Sequence, residues 1–175
     1  LCVRALVLTD RADEAQRAIA AMRDEAAARG SLRLRAGASW YAANLALRGG
    51  QVAEAENHAR LTLDLVDDGV NTFTGGAILL LLYALIERGE FDEARELLAE
   101  QRLDGGLRST RWEIGLRHAR ARLWLAEGDF ERAHAEACAA GDLRDQQGRR
   151  NPTWTPWRST AALAPSPIES AVVKF

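Results

Sequence analysis

Three stretches of this chain superpose residue for residue: 48–59 (RGGQVAEAENHA), 87–98 (ERGEFDEARELL) and 126–137 (AEGDFERAHAEA), each 39 residues after the one before. A fourth, 8–19 (LTDRADEAQRAI), lies 40 residues ahead of the first of them. Ala55, Ala94 and Ala133 fill one column, which Ala15 joins. Gly50, Gly89 and Gly128 fill a second column five positions earlier, where the first copy carries Asp10. Gly37, Gly76 and Gly115 form a third column, and Val52, Phe91 and Phe130 a fourth. Self-similarity at a fixed period marks a repeat architecture, in which each copy is one supersecondary unit.

Each copy reads as a helix, a corner and a second helix. Upstream of the corner glycine lies an apolar, Ala/Leu-rich stretch: 40–47, 78–86, and 116–125 with interspersed Arg. Downstream lies an amphipathic stretch, such as Phe91, Ala94, Leu97 and Leu98 at i, i+3, i+6 and i+7. Glycine ends the first helix because it tolerates the left-handed cap conformation. Acidic residues just beyond it (Asp10, Asp13 and Glu14; Glu90 and Asp92; Asp129 and Glu131) suit the positive end of the second helix's dipole. Val52, Phe91 and Phe130 are expected to plug the corner, and the alanine column to let the two helices approach. The second helices fade at Arg29-Gly30, Asp68-Gly69, Asp104-Gly105-Gly106 and Gly141 or Gly148. Thr110 and Glu113 have the spacing of a capping box. A single hairpin cannot bury its own apolar face, so hairpins stack. The expectation is all-α: a right-handed α-solenoid with no strand, built from repeats at about 1–30, 31–69, 70–106 and 107–148 with a partial one at 151–164. That last helix is expected to begin at Thr155-Pro156, with Thr as cap and Pro in the first helical position. Residues 165–175 (PSPIESAVVKF) have no helical period and read as an irregular tail.

Composition narrows the function. The chain of 175 residues is 47% hydrophobic and 27% charged, with a net charge of −2, which gives no electrostatic footprint for nucleic acid. Lys174 is the only lysine, against many arginines, so a phosphate loop of the form G-x-x-x-x-G-K-[ST] is excluded. Cys2 and Cys138 form no C-x-x-C, and His58, His118 and His134 form no H-E-x-x-H. The longest apolar run, 77–86, is about half the length of a membrane span. No signal peptide is recognisable, so a reducing cytoplasmic setting is expected. The chain begins without Met inside an apolar run, which reads as part of something larger.

The turn-glycine, apolar residue and E-A pattern resembles tetratricopeptide repeats, with a period longer than theirs. The segment Asn151-Pro152-Thr153-Trp154-Thr155-Pro156-Trp157-Arg158-Ser159, followed by Ala161-Ala162-Leu163-Ala164, is more specific. Together with Leu125–Ala137 it resembles the end of the helical-repeat region in the large ATP-binding, MalT-like regulators of the LuxR family. That resemblance implies a sensor or oligomerisation arm lying between an ATPase module and a helix-turn-helix DNA-binding domain. Neither flanking module is encoded in these residues, and 165–175 departs from the family's continuation. No ATP or DNA contact therefore carries over to any residue here.

Chemistry-bearing residues mostly have ordinary readings. His118 shares the apolar column of Trp40 and Leu79 and reads as packed; His58 and His134 fall among Glu, Arg and Ala and read as surface positions. Cys138 reads as a small core or boundary residue, and Asp67-Asp68 and Glu87/Glu90 as solvated helix ends. Arg108, Arg111, Arg117, Arg120 and Arg122 could meet an anion, but Glu113 four residues before Arg117 favours a salt-bridged face. Trp40, Trp112 and Trp124 read as core or corner plugs, with Trp154 and Trp157 partly exposed at an end of the stack. The expected functional face is a polar column on the first helices, Asn44, Tyr83 and Arg122 with Arg48 and Glu87 one turn later, lining a concave groove for a protein partner or small inducer. No catalytic, cofactor or metal residue is expected, nor direct nucleic-acid or membrane binding; self-association is compatible with an open end. A generic tetratricopeptide scaffold unrelated to transcription is the alternative. An α/α-toroid hydrolase is disfavoured by the missing acid–base signature.

Overall fold

In a computed structural model, residues 2–66, 73–100, 112–148 and 155–164 are described. They form helices α1 (Val3–Leu8), α2 (Ala12–Arg29), α3 (Leu32–Arg48), α4 (Val52–Leu65) and α5 (Thr74–Arg88) in a first compact unit, Leu1–Arg88. A second unit, Gly89–Phe175, holds α6 (Phe91–Glu100), α7 (Glu113–Glu127), α8 (Phe130–Gln146) and α9 (Trp157–Leu163). No strand occurs among the described residues. Asp67-Asp68, the Thr110 half of the capping box, Arg108, Arg111, Trp154 and the 165–175 tail lie outside them.

In the first unit α2 packs on α1 and α3, and α4 on α3 and α5. The corner residues make this possible. At Asp10 the backbone takes φ 57°, and the next amide, Arg11 N–H, reaches back to the Leu6 carbonyl at 3.1 Å. Gly50 repeats the device with φ 74°, and Gln51 N–H bonds the Ala46 carbonyl at 2.8 Å. This bond, from just past the helix to its last turn, satisfies a carbonyl that the helix itself leaves open. At Gly30 the same closure is followed at once by a new start: Ser31 Oγ accepts from Leu34 N–H at 3.3 Å and caps α3. The column residues Ala15 and Ala55 are fully buried between the helices that these corners fold together. Ala15 belongs to one core cluster with Val3, Leu6, Val7, Ile19, Ala38 and Ala42, in which aliphatic side chains and alanine methyl groups fill the space between α1, α2 and α3. Trp40 is buried with an edge on Tyr41 (centroids 4.9 Å apart) and a tilted contact with Phe73 (5.9 Å). Gly37 leaves room for that ring, since a Cβ there would stand 3.2 Å from Phe73.

In the second unit α7 and α8 pair, and α9 lies against both. Gly128 turns the corner at φ 83°; Asp129 N–H bonds the Trp124 carbonyl at 2.9 Å, and the Asp129 carboxylate caps α8 through Arg132 N–H at 3.1 Å. Ala94 and Ala133 are fully buried.

Two local expectations need correction, and a third is resolved between its alternatives. Phe130 is 50% exposed, and Val52 and Phe91 are only half-buried, so this column does not plug the corners; it opens α4, α6 and α8, where the first turn still faces solvent. Of the two glycines offered as the end of α8, Gly148 (φ 65°) follows the helix, while Gly141 lies inside it with the Trp157 ring packed where its side chain would be. Pro156, not Thr155, is the N-cap of α9 and so precedes its first helical residue, Trp157, while Thr155 is buried.

Candidate functional site

The expected polar face divides between the two units. Asn44 and Arg48 lie on α3 and Tyr83 and Glu87 on α5, which packs on α3 in the first unit; Arg122 lies on α7 in the second. Asn44, Tyr83 and Arg122 are half-buried, and Glu87 is exposed. Arg48 reaches across to the first corner, where its Nη2 meets the Asp10 carboxylate at 2.6 Å.

A concavity not anticipated from the sequence lies in the same unit. Leu32, Arg35, Ser39, Ala42, Ala46 and Gly49 recur at three- and four-residue steps and so share one stripe of α3. That stripe floors a groove whose walls are α2 and α4, and Asn44 is on the other side of the helix. Two cavities occupy the groove. One of about 450 Å³ lies toward the Gly30–Ser31 corner, and one of about 530 Å³ toward Asp10 and Arg48. Arg23, from α2, borders both.

A hydrogen-bonded chain crosses the groove between them. Arg23 Nη2 is 3.2 Å from His58 Nε2, and a guanidinium only donates, so Nε2 accepts and the ring proton is assigned to Nδ1. Nδ1 in turn faces Ser39 Oγ at 3.3 Å, and the Ser39 hydroxyl donates to the His58 carbonyl, also at 3.3 Å. Burial, reinforced by the Arg23 charge and only partly opposed by Glu54, holds His58 below its ordinary value and so favours this neutral tautomer. His58 is thus half-buried and engaged, not a surface residue as its neighbours in sequence imply.

Elsewhere in the first unit Glu56 is a buried carboxylate between two guanidiniums. Arg60 approaches Oε1 through Nε at 3.0 Å and Nη2 at 2.9 Å, while Arg88, at the end of α5, holds Oε2. Burial alone would raise its pKa, but the hydrogen bonds from Arg88 and Arg60 outweigh it and keep the group below the usual carboxylate range.

Arg117 and Arg120, of the arginines singled out in the second unit, are salt-bridged. Glu136 on α8 takes Arg117 Nη1 at 3.0 Å and Arg120 Nε at 3.1 Å, and Arg117 also bonds Glu113 at 3.3 Å. Arg120 and Arg132 lie over the Trp124 ring at 5.3 and 5.4 Å. His118 is 2% exposed and pairs through Nε2 with Thr160 Oγ1 at 2.9 Å, which pins α9 to α7. Burial, with the Arg122 charge, pushes its pKa down to about 4. His134, half-buried rather than on the surface, aims Nδ1 at the carbonyls of Ala164 (2.7 Å) and Ala161 (3.2 Å), so Nδ1–H donates and closes the C-terminal end of α9. Its Nε2 is 3.5 Å from Cys138 Sγ. Burial, with Asp142 nearby, raises the Cys138 thiol pKa, which disfavours the nucleophilic thiolate.

Among the described residues, no group of three or more His, Cys, Asp or Glu side chains could hold a metal ion, and no helix is long and apolar enough to cross a membrane. The chain matches none of the known protein families, the curated proteins or the solved structures with which it was compared.

Proposed function

We propose that the chain is a non-catalytic binding module: a segment of α-solenoid built from tetratricopeptide-like hairpins with a period of about 39 residues. The observation that carries this reading is the joint behaviour of the columns. Ala15, Ala55, Ala94 and Ala133 are fully buried, and Gly50, Gly89 and Gly128 all take positive φ. Hairpins of this kind present side chains for recognition, and those assigned to a protein partner or a small inducer are Asn44, Arg48, Tyr83 and Glu87 in the first unit and Arg122 in the second. In the larger setting the module is the sensor or oligomerisation arm of a LuxR-family ATP-binding transcriptional regulator, supported by Leu125–Ala137 and by the Asn151–Ser159 segment. A ligand that binds one stacking geometry better than another would shift the population of states.

Sequencing the genomic DNA on both sides tests the regulator reading. A phosphate-loop ATPase upstream and a helix-turn-helix downstream are the expected result. Their absence in every frame would leave a tetratricopeptide scaffold without a link to transcription.

A further inference from the structure

Five of the ten arginines of the first unit have an acidic partner. Arg11 sits on Glu14, Arg29 on Glu25, Arg48 on Asp10, and Arg60 and Arg88 on Glu56. Arg23 and Arg35 differ. Among the described residues neither has a carboxylate within ion-pair distance; Arg23 meets only the neutral His58 ring, and both line the cavity of about 450 Å³. The rest of that lining is largely apolar, from Ala26, Ala27, Leu32 and Leu61, and Leu32 is 59% exposed. Two exposed guanidiniums beside an apolar bed are complementary in charge to an anion and in surface to a hydrocarbon body.

We propose that this cavity binds a small organic acid, its carboxylate held by Arg23 and Arg35 and its apolar body laid on Ala26, Ala27, Leu32 and Leu61. Its volume falls within the range of about 300–1,000 Å³ usual for small-molecule sites. The cavity is bounded along the helices, by the Gly30–Ser31 corner at one end and the Arg23–His58 bond at the other, which suits a compact ligand. The guanidinium fork matches a carboxylate in two parallel hydrogen bonds. On binding, Arg23 keeps its bond to His58 and turns further N–H donors to the carboxylate, an ion pair in which donor and acceptor are both charged. Ser39 and His58 keep their mutual bonds and form the polar floor. The site does not rest on the face proposed above, because Asn44 lies on the opposite side of α3 and Tyr83 on α5.

The test uses the full chain labelled with ¹⁵N and three probes: octanoate, the neutral octanol of equal chain length, and inorganic phosphate. Octanoate is expected to bind saturably, with the largest amide shifts at Ser31, Ser39 and His58. Octanol and phosphate should each bind at least about tenfold more weakly, the first lacking the charge and the second the apolar body. The double variant Arg23→Gln/Arg35→Gln changes two exposed side chains and should keep the thermal melt while weakening octanoate at least about tenfold. Ala27→Glu, which sets a competing carboxylate beside the cavity, should do the same. The proposal is overturned if octanoate shows no saturable binding below about 10 mM. It is equally overturned if octanol or phosphate matches octanoate, if the shifts map elsewhere, or if the variants bind octanoate unchanged.

Discussion

His118 is a titratable group placed where its charged form is excluded. It is 2% exposed, bonded to Thr160, and its pKa of about 4 lies below the ordinary 6.5 because burial strips the imidazolium of water and Arg122 repels it. Between those two values the unfolded chain binds a proton that the folded chain does not. The stability from neutral His118 is therefore complete above pH 6.5, falls as the pH drops, and levels off below 4. The full span amounts to about 3 kcal/mol. His58, also shifted downward, acts in the same direction, while Glu56, held below 4.5, adds its loss only under more acidic conditions. Urea unfolding of the wild type and of His118→Gln at pH 7 and pH 5 separates these contributions. The variant should be less stable at pH 7 yet lose less on acidification. Equal losses in the two proteins would show that His118 titrates freely in the folded state. The burial of this residue was legible in the sequence, since it shares a column with Trp40 and Leu79 and all three are buried. Its bond to Thr160 was not, because the partner is 42 residues away and outside every column.

At the scale of the element, α9 shows how a helix of seven residues is held. Such a helix is too short to be stable alone. It is fixed by Thr160 on His118, by the His134 N–H at its last carbonyls, and by Trp157 lying over Gly141. The last contact sets a steric limit, since a Cβ at position 141 would stand 2.5 Å from the Trp157 ring. Gly141→Ala should therefore unseat α9, at a cost of about 1–3 kcal/mol, rather than stabilise α8 as a glycine-to-alanine change inside a helix otherwise does. Hydrogen exchange checks this: amides of α9 should lose protection while those in the middle of α7 keep it. An unchanged α9 would mean that the ring simply rotates away. Gly128, in contrast, has open space at its Cβ and is needed only for its positive φ. The repeating corner glycines thus announce themselves by spacing, as a backbone requirement recurs with the hairpin. Gly141 belongs to no column, so the sequence offered it only as one of two candidate ends of α8, beside Gly148.

At the scale of the whole molecule, the principal helix pairings among the described residues join elements adjacent or next but one in the chain. This order follows from the sequence columns, which place a small buried residue wherever consecutive helices meet. The α2–α4 groove was hidden for the complementary reason. Arg23, Arg35, Ser39 and His58 belong to no column, come from three helices, and meet only once those helices are folded on one another. Sequence-local packing also has an energetic consequence. Where each element is stabilised by its chain neighbours, stability is close to a sum of local terms, and damage stays near its origin. Within the first unit Val3, Leu6, Val7, Ala15 and Ile19 belong to one cluster, and within the second Ala121, Ala137 and Ala161 belong to another. Native-state hydrogen exchange on the Gly141→Ala variant reads this directly. The free energy of opening should fall for α8 and α9 and stay within about 0.5 kcal/mol of the wild type for α2, α3 and α4, the additivity expected of distant sites. A uniform fall across all helices would instead make the chain one cooperative body, in which the buried alanines of the first unit and the Trp157 contact of the second stand or fall together.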